Sequence, residues 1–251
     1  MSISAVASQA TGATTDNATS TSKAYPGNVT AGNLIVVVAG KYSPSDDAFA
    51  AGDCTKSAGT ATLGTISLDS SVNYAYSGGA EHVAVGVWTA IVTGTGSLTM
   101  QVGGAAGSYW VLGIDEYSST LGWDASRVEA FSSGNATSGT PDSGNMTSAG
   151  AALFIGGVAT VTTGATTHTP DGAFTQIYEE ENGATHGTGS IIRRIVTTGT
   201  TDSVSWSAPN GPQWAAAGAV LKETAGGGGV VGPLLQGKLI GGGILQGRLI
   251  R

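Results

Sequence analysis

Charge is scarce in this chain. Of 251 residues only 11% are Asp, Glu, Lys or Arg, against roughly 25% in an average soluble domain. Ten Lys and Arg stand against 17 Asp and Glu, a formal net charge of −7. So acidic a chain repels phosphate backbones, which argues against a nucleic-acid partner, and the low charge density argues against a coiled coil or a charged disordered tail. Cysteine is scarcer still. Cys54 stands alone, so no intramolecular disulfide framework can form, as suits folding in a reducing cytoplasm or stabilisation by sheet area alone. Long apolar runs are missing too. Residues 34–39, Leu-Ile-Val-Val-Val-Ala, form the longest, far too short to cross a bilayer, and no membrane partner is expected. Residues 1–9 carry no basic segment and no apolar run of signal-peptide length, so no export leader is expected. Amphipathic helix periodicity and capping boxes are absent throughout.

What is present is glycine, at 41 positions, and 40% hydrophobic residues. The deficit therefore lies in charge and not in core-forming side chains. Short strand signals recur between Gly, Asn, Asp and Pro turns. Residues 34–39 form a continuous β-branched run, as expected of a strand covered on both faces. Ser97-Leu98-Thr99-Met100-Gln101-Val102 alternates strictly, polar on one face and apolar on the other. Residues 83–88, 110–114, 153–158, 191–196, 204–206 and 214–221 are the other strand candidates, while residues 131–150 read as a Gly/Ser/Thr loop. The expected fold is all-β: an antiparallel β-sandwich, jelly-roll-like, spanning residues 1–225 as one display domain.

The two halves echo each other. Residues 30–36 recur loosely 118 positions later, Ile91-Val92-Thr93 recurs as Ile195-Val196-Thr197 at an offset of 104, and Trp110 matches Trp214 at the same offset. A true duplication would have each half supply one group of strands to a pseudo-symmetric sandwich.

The opening strand at Val29 to Leu34, the segment from Trp110 through Leu121-Gly122-Trp123-Asp124, and the closing strand Trp214-Ala215-Ala216-Ala217 to Leu221 together resemble a family of β-sandwich virion surface proteins common in bacteriophage and environmental genomes. The resemblance covers roughly residues 1–224. It implies a jelly-roll or lectin-like module on a particle surface, and its motifs carry no catalytic residues.

Beyond residue 225 the character changes. Gly226-Gly227-Gly228-Gly229 reads as a flexible linker, followed by Leu235-Gln236-Gly237-Lys238-Leu239-Ile240 and, after three glycines, Leu245-Gln246-Gly247-Arg248-Leu249-Ile250. Residues 226–251 hold three cations and no acid, leaving −10 on the body. Each unit is strand-length, and the glycines between them can turn one onto the other. Residues 226–251 are therefore expected to be an anchor and oligomerisation tail. Its partner-binding residues would be Leu234, Leu235, Lys238, Leu239, Ile240, Ile244, Leu245, Arg248, Leu249 and Ile250, adding strands to a capsid or tail shell protein or to copies of the same chain. A closed ring such as a trimer would let several tails share one bundle.

Candidate chemistry in the body is thin. Asp46, Asp47 and Asp53 could supply oxygen ligands to Ca²⁺, yet they lack calcium-loop spacing. His82, His168 and His186 lack metal-ligand spacing. Glu179-Glu180-Glu181 reads as solvent-facing charge. Asp115 and Glu116 are adjacent on a strand and so point to opposite faces, which disfavours them as a pair flanking one glycosidic bond. Trp88, Trp110, Trp206 and Trp214 lie in strand patterns and are expected in the core. Trp123 sits in a loop and is the candidate ligand contact, set against a packing role. No catalytic residue, metal or cofactor is expected. The functional expectation is a non-enzymatic virion structural protein, a capsid decoration or head-fibre component, assembled in the host cytoplasm. The alternative is a tail-associated or extracellular carbohydrate-binding adhesin using Trp123 and the Tyr74/Tyr76 region.

Overall fold

The computed structural model describes residues 3–76, 79, 81–161, 166–180, 188–207 and 213–224. The first half of the chain carries β1 (Ile3–Ala5), β2 (Thr11–Ala24), β3 (Leu34–Ser43), β4 (Cys54–Ala58), β5 (Thr62–Leu63), β6 (Ser67–Tyr76), β7 (Glu81–Gly94) and β8 (Thr99–Ser119). The second half carries β9 (Val128–Ala136), β10 (Met146–Ser148), β11 (Ala152–Val161), β12 (Thr169–Pro170), β13 (Thr175–Glu180), β14 (Thr188–Val196), β15 (Thr200–Asp202), β16 (Trp206–Ser207) and β17 (Gln213–Lys222). Among the described residues there is no α-helix, a 3-10 turn spans Ala51–Asp53, and no helix is long and apolar enough to cross a membrane.

Each half builds its own sheet. In the first, of eight strands, the long ones run β2-β8-β3-β7-β6, with the short β1 and β4 also paired to β8 and β5 to β7, all antiparallel. In the second the order is β9-β17-β11-β14-β13, again antiparallel. Numbering β2, β3, β6, β7 and β8 of the first sheet and the five strands of the second in chain order, both read first-fifth-second-fourth-third. The register is repeated as well as the order. Leu34 lies between Ile91 and Tyr117, and Leu153 lies between Ile195 and Leu221. The partners match at the offset of 104 seen in the sequence, but the central strands match at 119 and not 118. A slip of one residue would turn every side chain of β11 to the other face, and pairing decides the point where loose similarity in small residues does not. The strand path also differs from a jelly roll, in which the chain passes repeatedly between two sheets.

Both faces of both sheets are covered, which is why the central strands are apolar without alternation. Between the sheets lie Leu34, Val36, Val38, Val85, Val87, Tyr117, Leu153, Ile155, Ile191 and Leu221. The outer face of the first sheet is covered by segments carrying Tyr25, Val29, Phe49 and Leu98, which pack on Trp88, Trp110, Val37 and Met100. The outer face of the second is covered by Met146, Val204 and Trp206, packed on Phe154, Val158, Trp214 and Val220. Trp88, Trp110, Trp206 and Trp214 are all buried. Glycine serves the close approach of the sheets: a Cβ at Gly113 would lie 2.5 Å from Ile191 Cδ1.

At the sides of the sandwich, edge strands of opposite sheets meet. Ser70 Oγ on β6 donates to the Ser132 carbonyl on β9 at 3.2 Å. On the other side Thr14 Oγ1 on β2 donates to Glu180 Oε2 on β13 at 3.1 Å, and the Tyr178 ring lies over Gly12. These edge strands correct the expectation of a loop over residues 131–150. β9 continues to Ala136, and Met146–Ser148 forms β10. β9 and β2 are rich in Ser, Thr, Asn and Gly, and backbone pairing to β17 and β8 defines them.

Candidate functional site

Two polar groups lie on the outer faces near the ends of β3 and β11. Lys41 on β3 and Thr160 on β11 occupy equivalent positions, each paired with the tryptophan of its sheet, Trp110 and Trp214. Lys41 has no exposed side-chain surface and ion-pairs with Asp47. Its ammonium lies 4.2 Å from the centre of the Phe49 ring and 5.3 Å from that of Trp110, within the range of cation–π attraction. Burial lowers the pKa of this amine, and Asp47 pulls it part of the way back. Asp47 Oδ2 also accepts the Ala105 amide at 2.5 Å. The group is a polar plug: an ion pair closed over by aromatic rings.

In the second sheet, Thr160 Oγ1 lies 2.7 Å from Thr188 Oγ1 and 3.2 Å from His168 Nε2. His168 Nδ1 faces Glu179 Oε1 at 3.7 Å. Hydroxyl, imidazole and carboxylate thus follow one another in the order of a nucleophile, its base and the base's orienter. The arrangement is closed to solvent. Thr160 and His168 are fully buried, and the adjoining space, about 10 Å³, has room for one water and no substrate.

Between the sheets, Arg193 on β14 forms an ion pair with Asp115 on β8, and the guanidinium lies 5.7 Å from the centre of the Tyr117 ring. Burial raises the Asp115 pKa and Arg193 opposes the rise. Glu116 points to the other face, where its Oε1 accepts from Thr30 N at 2.8 Å and Asn33 Nδ2 at 2.7 Å. The two carboxyls are separated by the sheet, as their adjacency requires. Beside Arg193 opens a cleft of about 530 Å³, whose walls include Ala5, Thr175, Arg193, Arg194, Thr198 and Thr200. Arg194 is itself paired with Asp202.

The candidate residues read from the sequence fall as follows. The ten tail residues, together with His186 and Glu181, lie outside the described residues, as does the Tyr76 side chain. Trp123 is 8% exposed and packs into the inter-sheet core, so its ring face is not offered for stacking. Asp46, Asp47 and Asp53 go to three different partners, Asn73, Lys41 and the Ala50 amide, and do not converge as a calcium loop would. Among the described residues no three His, Cys, Asp or Glu side chains group to hold a metal. Sequence reading passed over Lys41 and Arg193. Each interrupts an apolar run, after Leu-Ile-Val-Val-Val-Ala-Gly and within Ile-Ile-Arg-Arg-Ile-Val, and a charge so placed signals a buried pair. Comparison with protein-family models, curated proteins and solved structures finds no match to the chain.

Proposed function

We propose that the chain is a non-enzymatic structural protein of a bacteriophage virion surface, a capsid decoration or head-fibre component. The sandwich is displayed, and the C-terminal segment fixes it to a shell protein or to further copies of the chain. The observation that carries this reading is the contrast between body and tail. In the body, Lys41, Asp115 and Glu116 are each enclosed and bound to a partner. Beyond Thr224 the sequence turns to repeated Leu/Ile units that carry a charge of the opposite sign. The acidic body keeps neighbouring modules apart in solution, while apolar area and backbone pairing hold the tail.

Native mass spectrometry of the full chain and of a chain ending at Thr224 tests this. The full chain is expected to form oligomers or to incorporate into particles, and the shortened chain to be monomeric and well folded. Equal assembly of the two would defeat the anchor.

The carbohydrate-binding alternative is favoured by one observation, the cleft beside Arg193. Threonine hydroxyls and two Arg–Asp pairs are groups that can hydrogen-bond sugar hydroxyls. Specific binding on a glycan array, lost in Arg194→Ala or Thr198→Val, would transfer the proposal to an adhesin.

A further inference from the structure

The repeat between the halves extends to an edge strand of each sheet, and there it is incomplete. In the first sheet β6 meets β7 with Ser67 beside Thr89, Leu68 beside Trp88 and, after a bulge, Ser70 beside Val87. In the second β13 meets β14 with Thr175 beside Arg193, Gln176 beside Ile192 and, after a bulge, Tyr178 beside Ile191. Each of these β14 residues stands 104 positions after its β7 counterpart, and the bulge falls at the same step. Beyond the start of β6 the edge of β7 is still covered. Thr62 of β5 pairs with Gly94 and Leu63 with Val92, and Gly64 N donates to the Ile91 carbonyl at 2.8 Å. Beyond the start of β13 the edge of β14 is open. β13 stops opposite Arg193 while β14 runs on to Val196, and among the described residues no strand pairs with residues 194–196 on that side. In this half the chain reaches β13 from β12, which pairs with β16, through a turn at Gly172, and supplies no counterpart of β5. The cleft of about 530 Å³ lies along this edge, lined by every residue from Arg193 to Thr198.

We infer that Leu239-Ile240-Gly241 of the C-terminal segment adds to the open edge of β14 in this cleft, as Thr62-Leu63-Gly64 adds to β7. The inference rests on the anchor proposed for residues 226–251 and names the surface that it grips. An open ladder edge takes an extended backbone, and the first half shows the kind that fits, an aliphatic residue followed by glycine. Ile240-Gly241 repeats that pair. In this register Ile240 lies beside Val196 and Leu239 beside Thr198, and Gly241 N donates to the Ile195 carbonyl. The place where the segment leaves the body agrees. Lys222 of β17 and Val196 of β14 both pair with Ala152 of β11, so the two strand ends lie two strand spacings, about 10 Å, apart. The 16 residues between Lys222 and Leu239, as a glycine-rich chain, have an end-to-end distance of about 20–24 Å. That length serves the cleft of the same body or of an adjacent copy. Charge does not oppose the cationic segment, because Arg193 and Arg194 are each paired with an aspartate. A cleft filled in this way is closed to a glycan.

Hydrogen exchange and native mass spectrometry of the full chain test this. The amides of residues 194–197 are expected to be protected in the parent and to exchange about tenfold faster or more in Leu239→Asp/Ile240→Asp, with β11 unchanged as the control for folding. Thr198→Cys/Leu239→Cys is expected to form a disulfide under mild oxidation, since the bond requires close Cα atoms, and Thr198→Cys/Gly229→Cys is not. Exchange at residues 194–197 that ignores the tail substitutions, or equal cross-linking of the two cysteine pairs, would overturn the assignment. Loss of oligomers in Leu239→Asp/Ile240→Asp without faster exchange at the cleft would place the anchor's grip elsewhere. Faster exchange in a chain that is monomeric before and after the substitution would keep the strand in the cleft of its own body and remove the anchor instead.

Discussion

Asp115 and Arg193 tie the two sheets together through the inner core, the carboxylate 1% exposed and the guanidinium side chain 21%. The pair sits among the inter-sheet residues, close to side chains such as Val36, Ile155 and Ile191. Removing one partner leaves a charge buried alone, at a cost of about 3–5 kcal/mol. Arg193→Met is therefore expected to destabilise the fold by that amount in urea unfolding. The double variant Asp115→Leu/Arg193→Met is expected to recover most of the loss, because it removes both charges. Equal stability of Arg193→Met and the parent would mean that the pair does not bridge the sheets.

A second bridge between the halves runs from Arg127 to β7 and β6. Arg127 Nε donates to Thr89 Oγ1 at 2.7 Å, its Nη2 donates to the Thr89 carbonyl at 3.1 Å, and Thr89 Oγ1 donates to Asp69. Burial outweighs these contacts and raises the Asp69 pKa from 3.8 to about 6. The folded state then holds a proton more tightly than the unfolded chain. Stability from this group is full below about pH 4 and is lost as the pH rises through about 6. The loss amounts to about 1–3 kcal/mol, the upper figure discounted for the wetted part of the carboxyl. Asp69→Asn is expected to flatten this part of the stability profile between pH 4 and 7. A profile unchanged by the substitution would assign the slope to other carboxyls.

Cys54 is buried at 2% exposure, and desolvation raises its thiol pKa to about 12. Since the thiolate is the reactive form, the native protein is expected to leave a thiol reagent unconsumed at pH 8 and to react at once in denaturant. Fast labelling of the native state would show that the outer covering of the first sheet opens locally.

Trp123 separates packing from recognition. Removal of a buried indole costs about 3–5 kcal/mol, so Trp123→Ala is expected to lower the melting temperature markedly. Any loss of ligand binding in that variant should appear only where the fold is lost too. A variant of parental stability that has lost a glycan ligand would restore Trp123 as a contact residue.

Much of the fold was legible because burial on both faces leaves a run such as Leu-Ile-Val-Val-Val-Ala no other reading, and because Leu98, Met100 and Val102 alternate with polar neighbours and are all buried. Edge strands were less legible. Thr11–Ala24 has almost no apolar residue and is a strand because β8 offers it a backbone ladder, an effect of tertiary pairing that local pattern does not carry. The halves' likeness was visible at Trp110 and Trp214, but its register needed the pairs formed by Leu34 and Leu153. The polar groups were hardest to foresee. Asp115 and Arg193 lie on strands of different sheets, and no spacing rule links two residues that meet only when the sheets stack.

The meeting of β6 with β9, and of β2 with β13, has a bearing on crowding. An open sheet edge is a template onto which a second chain can add a strand. Here the Ser132 carbonyl is already engaged by a side chain from the other sheet, and Glu180 is held across the opposite side. With these edges engaged across the sandwich, a second copy of the chain finds them poor templates for fusing the two into one continuous sheet.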